Sequence, residues 1–246
     1  MFLKLAILIS SITFLLGLEF IVIKHEYVFA VILFLIFFAF QEGRKLGKKL
    51  RFSILPVLFV ISSAALLYLV GLPYEQQIFI FLTTFMYYMM LLGIYRLERY
   101  EGDQTARGMN MAATSTVIFF TYAGFYGIYL NFMVPLYLLM LSYLVVTSLV
   151  TYQHFSIIKS EDKRLVFAYS FLLGLLMAEM IWTMNFWPFG YLTTGVIALI
   201  LYYMLWDTVQ SYFLNLLSRK RVVANAIFFS FLILLVLLTS KWTPVI

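Results

Sequence analysis

Long apolar runs separated by short polar segments make up this chain, and basic residues occupy every second segment. Each run is about 20 residues long, which at ~1.5 Å per residue spans the ~30 Å hydrocarbon core of a bilayer. Fifteen of the seventeen Lys and Arg residues follow this alternation, and only Lys24 and Lys241 lie on the opposite side. The pattern predicts a polytopic membrane protein with a definite orientation.

The fold class predicted is all-α, a transmembrane helix bundle of eight or nine spans, because the runs lack the alternation of barrel strands. The predicted spans are 5–23, 26–41, 53–71, 77–95, 111–130, 133–151, 165–184, 190–208 and 222–240. The second, 26–41, is short, and a re-entrant segment is the alternative. If it did not cross, however, the basic cluster in 41–52 would be translocated, so a true span is favoured.

Composition leaves little chain outside the membrane. The 246 residues are 64% hydrophobic and 11% charged, whereas soluble domains carry about 25% charged residues. We therefore predict one membrane-embedded domain over 1–246, with no extramembrane domain. The net charge of +6 does not indicate nucleic-acid binding, because the basic residues are spread over several short segments. The absence of cysteine excludes disulfides and Cys-ligated metals.

The basic asymmetry also gives the orientation. By the positive-inside rule the N-terminus is cytoplasmic and the C-terminus is outside, in the plasma or inner membrane of what we expect to be a bacterial cell. The segment after Lys4 resembles a signal peptide, but the apolar run is long and no small-residue cleavage pattern follows. We interpret it as a retained first span.

Acidic residues inside spans are the candidate functional residues, because ionisable groups in hydrocarbon are costly. Glu19 and Glu179 lie at the same predicted depth, ~22 Å from the inner side. Glu179 is followed by Trp182 on the same helix face and by Asn185 at the helix end. These residues indicate either a proton- or cation-coupled site or hydrogen bonds that hold spans together. Asp207 is predicted to lie near the inner headgroups.

Five further expectations concern polar residues, aromatic residues and two short segments. Hydroxyl residues of the fifth and sixth spans are expected to mediate helix packing. The four tryptophans are expected to anchor span ends at the interface. His154 is expected in a solvated loop, and 41–52 in a basic loop facing headgroups. Residues 207–221 are expected to continue the eighth span along the interface.

Function is not specified by any motif. No zinc-protease motif, intramembrane aspartate pair or mid-span Lys is present, so no catalytic residue, cofactor or metal is predicted, and an enzyme is not favoured. The first hypothesis is a non-catalytic accessory protein that binds membrane lipids, a protein partner or a second copy of itself. The alternative is a small coupled transporter that uses Glu179 and Glu19.

The last third of the chain has a recognisable order of residues. Glu179, Trp182 and Pro188 are followed by a tyrosine pair at 202–203 and by Lys241–Trp242 at the end of the last span. This order resembles a family of uncharacterised polytopic membrane proteins from small-genome, candidate-phylum bacteria, over roughly 165–246. The resemblance implies a bacterial inner-membrane location and transfers no functional residue.

The predicted topology is testable with single cysteines, because the chain has none of its own. A cysteine introduced at Ser160, in a predicted cytoplasmic segment, should be protected from a membrane-impermeant thiol reagent added outside intact cells. The unmodified protein supplies the zero-labelling control. Labelling of the Ser160→Cys variant from outside would show the orientation to be wrong.

Overall fold

A computed structural model describes residues 2–100, 102–158 and 162–240, apart from the side chains of residues 2–4, 25 and 158. These residues form nine α-helices and no strand, which confirms the predicted all-α class. The helices are α1 (Phe2–Ile23), α2 (Val28–Gly47), α3 (Ile54–Leu69), α4 (Pro73–Arg99), α5 (Gln104–Phe132), α6 (Leu136–Ile158), α7 (Lys163–Met184), α8 (Tyr191–Phe213) and α9 (Arg219–Thr239). Short 3-10 helices at His25–Tyr27 and Leu50–Ser53 flank α2. Lys159, Ser160, Lys241 and Trp242, used in the sequence predictions, lie outside the described residues.

Eight helices of the described chain are long and apolar enough to cross a membrane. The exception is α2, whose last turns carry Glu42, Arg44 and Lys45. The helix is nevertheless 20 residues long, because it continues to Gly47 rather than ending near Gln41. The predicted headgroup-facing loop over 41–52 is therefore wrong in its first half, where Glu42 and Leu46 are buried.

The contacts divide the chain into two compact units, Met1–Phe120 and Thr121–Ile246. The first unit contains α1 to α4 and most of α5, and the second contains the end of α5 and α6 to α9. The prediction that residues 1–246 act as a single domain stays a prediction.

Buried aromatic rings form the core of the first unit. Phe14 of α1 stacks on Tyr87 of α4, with the ring centroids 4.4 Å apart. Phe59 of α3 lies edge-on to Phe14, and Phe120 of α5 lies edge-on to Phe59, each at 5.9 Å. Edge-on and offset ring pairs are the favoured aromatic geometries. Four helices of this unit thus meet through one aromatic cluster.

Hydroxyl hydrogen bonds join the helices of the second unit. The Tyr122 and Thr147 hydroxyls are 2.7 Å apart, and the Tyr143 hydroxyl donates to the Tyr122 carbonyl at 2.7 Å. One turn further along α6, the hydroxyls of Thr151 and Tyr202 are 3.3 Å apart. All five side chains are buried. These bonds agree with the expectation that hydroxyl residues of the fifth and sixth spans mediate packing.

Small residues allow close helix contacts in both units. A Cβ atom added at Gly43 would lie 2.8 Å from the carbonyl oxygen of Phe52, in the 3-10 segment that packs against α2. In the second unit, a Cβ at Gly195 would lie 2.7 Å from that of Ala123. Real Cβ atoms essentially never approach other atoms so closely, so the observed backbone at both positions requires glycine.

The Gly43 contact predicts a stability effect. Gly43→Ala forces the Phe52 backbone to move, and overpacking of this kind typically costs ~1–3 kcal/mol. The variant should therefore show a lower thermal midpoint in detergent than the wild-type protein. Gly71→Ala is the control, because no atom lies within 4 Å of a Cβ at that position. Equal midpoints for the two variants would contradict a tight α2 contact.

Candidate functional site

A groove runs along one face of α4 in the first unit. Its volume is about 620 Å³, and the lining residues are Tyr88, Leu92, Tyr95, Arg96, Tyr100 and Asp103. The α4 members recur every three to four residues, so they lie on one face of the helix. Between positions 88 and 100 the groove follows α4 for ~18 Å. This length and volume suit a ligand of moderate size.

The charged end of the groove is held in place by Asp103, which lies just before α5. Arg96 Nε donates to Asp103 Oδ2 at 2.7 Å, and the Ala106 amide donates to Oδ1 at 3.1 Å. The Ala106 amide and the Arg96 guanidinium hold the pKa of the Asp103 carboxyl below its usual range. Asp103 is therefore ionised at neutral pH, and its fixed charge orients the guanidinium.

Arg96 keeps donors for a ligand. Its ion pair uses Nε, and no described residue accepts a hydrogen bond from its two terminal amino groups. The neighbouring Arg99 places its guanidinium 4.7 Å from the centre of the Tyr95 ring, a cation–π contact. Among the described residues at this end, Arg96 pairs with Asp103 and Arg99 packs on the groove residue Tyr95, so two guanidinium groups accompany one carboxylate.

The other charged groups near the end of α4 are paired or lie apart. Glu98 forms an ion pair with Lys48 of the α2–α3 connection, and Lys48 Nζ lies 2.8 Å from Glu98 Oε1. Glu101 lies outside the described residues. Among the described residues no three metal-ligating side chains come together. A second cavity, among Phe125, Val134 and Leu138 of the other unit, has a volume of only about 130 Å³.

Glu179 lies on an exposed face of α7. Trp182, one turn later, is 48% exposed, and Phe186 packs edge-on against it at 5.7 Å. Glu179 and Trp182 share one helix face, as the sequence spacing indicated, whereas Phe186 lies beyond the end of α7 at Met184. Asn185 is the C-cap of α7, where its backbone amide donates to the Ile181 carbonyl. In the described chain, Glu179 has no hydrogen-bond or ion-pair partner.

Glu19 is partly exposed on α1, in the first unit. Its carboxylate accepts a hydrogen bond from the Gln77 amide of α4 at 3.1 Å. This bond joins two helices, which is the structural role considered in the sequence analysis. Glu19 and Glu179 belong to different units, and their equal depth in the membrane stays a prediction.

Asp207 connects α8 to α9. Its carboxylate accepts from Arg221 Nη2 at 3.1 Å and also from the side-chain amide of Asn225. The carboxylate is 18% exposed and the Arg221 side chain 41% exposed. The expected continuation of the eighth span is correct only to Phe213, since α8 ends there and α9 begins at Arg219.

The sequence analysis missed a buried polar cluster around His154. The residue lies in α6, not in a solvated loop, and is only 7% exposed. Trp206 of α8 packs edge-on against its ring at 5.0 Å, and Gln210 lies beside the ring. Neither ring nitrogen has a hydrogen-bond partner in the described chain. The expected interfacial role of Trp206 is therefore wrong, because α8 continues about two turns past it.

The groove was also missed, although a signal was present. Tyr88, Leu92 and Tyr95 lie at i, i+4 and i+7, a spacing that places three large side chains on one helix face. The last two turns then add Arg96 and Arg99. Aromatic residues are frequent throughout this chain, so the spacing alone did not separate a ligand face from a packing face.

The Asp207 contact predicts a local effect on α9. Arg221→Gln removes the ion pair to Asp207, which for partly exposed pairs contributes about 0.2–1 kcal/mol. Hydrogen exchange in residues 214–222 should become faster. Lys220→Gln is the matched control, since Lys220 is exposed and has no partner in the described chain. If both variants exchange alike, Asp207 does not hold α9.

Comparison with known proteins identifies a family. Residues 37–239 match the family described as "Protein of unknown function (DUF5656)". No curated protein and no solved structure matches the chain. Because the match covers most of the sequence, the chain belongs to this family, and the match extends well beyond the resemblance over 165–246.

Proposed function

We propose that this member of the DUF5656 family is a non-catalytic, multi-pass membrane protein that binds a membrane lipid in the α4 groove. The observation that carries the proposal is the order of side chains along the groove. Tyr88 and Leu92 lie towards the middle of the long apolar helix α4, whereas Arg96, Tyr100 and Asp103 lie at its end. Polarity therefore increases in one direction, as it does along a lipid molecule.

The depth of the groove supports the same proposal. An α-helix of 27 residues is ~40 Å long, which exceeds the ~30 Å hydrocarbon core. The last turns of α4 therefore extend into the headgroup region, and Tyr residues favour this region because they combine an apolar ring with a polar hydroxyl. A headgroup at Arg96 would leave the glycerol and upper acyl carbons beside Leu92 and Tyr88.

The location belongs to the same proposal. The eight long apolar helices indicate a membrane protein. We infer that the protein lies in the inner membrane of a bacterium with a small genome, as the resemblance implies. We also infer that the α4 groove lies in the cytoplasmic leaflet. The support is the basic asymmetry of the loops, since Arg96, Arg99 and Arg107 all follow the fourth apolar run.

Coupled transport is not included in the proposal. A coupling carboxylate has to change its environment between a closed and a water-filled state. Glu179 lies on an exposed helix face, beside Trp182 and Phe186, and lines neither described cavity. Glu19 bonds to Gln77. Glu19 therefore joins two helices, and Glu179 is an exposed surface residue.

Filling the groove tests the proposal. Leu92→Trp should occupy the apolar part of the groove and reduce the number of lipids that remain bound after purification in mild detergent. Native mass spectrometry counts the lipids on each protein molecule. The control is Leu82→Trp on the same helix, because Leu82 is 56% exposed and lies outside the groove.

Three results distinguish the hypotheses. A stoichiometric lipid that Leu92→Trp loses and Leu82→Trp retains supports the proposal. A stoichiometric protein partner without lipid would replace it with the partner-binding alternative, and a second copy of the chain would indicate a homo-oligomer. A lipid-free protein, or lipid retention that is equal in both variants, would contradict lipid binding in the groove.

A further inference from the structure

The geometry of the charged end points to the ligand class: we infer that the groove binds the phosphate of an anionic glycerophospholipid, in preference to a zwitterionic lipid. This inference rests on the proposed lipid-binding function. It goes further because it assigns the headgroup charge and the atoms that recognise it.

The first argument is that Asp103 is already occupied. One carboxylate oxygen accepts from Arg96 Nε and the other accepts from the Ala106 amide. An ammonium group of a zwitterionic headgroup would need an acidic partner, and the described residues of the groove lining contain no other acid. Glu98, the next described acid along the chain, is paired with Lys48, and Glu101 lies outside the described residues. The ammonium group would therefore gain no ion pair from the residues that the structure describes.

The second argument is that Arg96 is prepared for a phosphate. The bond from Nε to Asp103 fixes the plane of the guanidinium, and both terminal amino groups remain as donors with respect to the described residues. A planar pair of N–H donors matches two phosphate oxygens, and bidentate pairs of this kind are among the stronger hydrogen bonds in proteins. Asp103 is thus a positioning residue, whereas Arg96 is the residue that contacts the ligand.

The third argument is the balance of charge. Among the described residues at this end, Arg96 and Arg99 outnumber Asp103, since Glu98 is paired with Lys48, so a ligand with one negative charge balances their charges. Arg99 is held beside the groove by its contact with the Tyr95 ring. The hydroxyls of Tyr95 and Tyr100, which also line the groove, supply further donors. A zwitterionic headgroup would leave the excess positive charge in place.

The experiment measures headgroup preference. The full-length protein is reconstituted into vesicles of equal parts phosphatidylglycerol and phosphatidylethanolamine with identical acyl chains, then extracted in mild detergent. Mass spectrometry gives the ratio of the two lipids that remain bound. We expect the wild type to retain phosphatidylglycerol preferentially. Arg96→Gln should reduce the preference about tenfold or more, since a hydrogen bond to a charged group contributes ~1.5 kcal/mol or more and 1.4 kcal/mol is a factor of ten.

Two companion variants separate the site from general charge and from misfolding. Arg44→Gln removes the same charge from an exposed position on α2, and the preference should persist. Arg96→Lys keeps the charge but loses the planar donor pair, so an intermediate preference is expected. Size-exclusion profiles and thermal midpoints identify any variant that is not folded, and Arg96→Lys then carries the test.

The contrary outcomes are distinct. Loss of the preference in Arg44→Gln as well as Arg96→Gln would overturn the inference in favour of bulk surface charge. Retained lipid that is sensitive to Leu92→Trp but indifferent to headgroup would overturn the inference and leave the proposed function intact. No groove-sensitive lipid at all would overturn both. Glycerol phosphate added as a soluble competitor should not displace the lipid, and efficient displacement would identify a soluble phosphate ligand instead.

Discussion

The backbone amide in hydrocarbon is the constraint on which the rest of this structure depends. A peptide group buried in lipid has no water to bond, so each long apolar run has to form a helix that satisfies its own N–H and C=O groups. Side chains are then left to join the helices, and dispersion, ring stacking and a few hydroxyl bonds supply that cohesion. Phe14 and Tyr87 join helices by ring stacking in the first unit, and Tyr122 and Thr147 join helices by a hydroxyl hydrogen bond in the second.

Polar groups that are not needed for cohesion then stand out. Five buried hydroxyl side chains of the second unit take part in hydrogen bonds between helices, whereas neither ring nitrogen of His154 has a partner within the described chain. Charged groups near the helix ends form ion pairs with other parts of their unit, as in Lys48–Glu98 and Asp207–Arg221. Arg96, like Arg221, has only one nitrogen atom engaged by its carboxylate partner, but Arg96 also lines the groove. A partly used guanidinium beside an open groove is the feature that assigns this end of α4 to a ligand.

The proposed site illustrates how a membrane protein can bind one class of the lipids that surround it. Most of the exposed apolar surface contacts acyl chains without selectivity, and α9, which has no buried residue, is the extreme case. Selectivity requires oriented donors at headgroup depth, where charge–charge interactions are only partly screened. The α4 groove combines such donors with an apolar inner end, and Asp103 fixes their direction.

The sequence by itself determined the class of fold, the number of helices and the charge asymmetry from which the orientation is predicted, because span length and loop charge are properties of consecutive residues. Each of the nine predicted spans overlaps a described helix, but α2, α5 and α6 extend six or seven residues beyond the prediction, at 42–47, 104–110 and 152–158. At 42–47 the polar residues looked like a connection, although Glu42 and Lys45 pair within the helix. Only the tertiary structure decided the functional candidates. It placed Glu179 on an exposed face and His154 in a core, and it brought Asp103 to Arg96 across the α4–α5 connection. Burial and pairing depend on which helix faces meet. In an almost uniformly apolar sequence, the hydrophobicity of one helix face differs too little from that of the other faces to specify which helix packs against it.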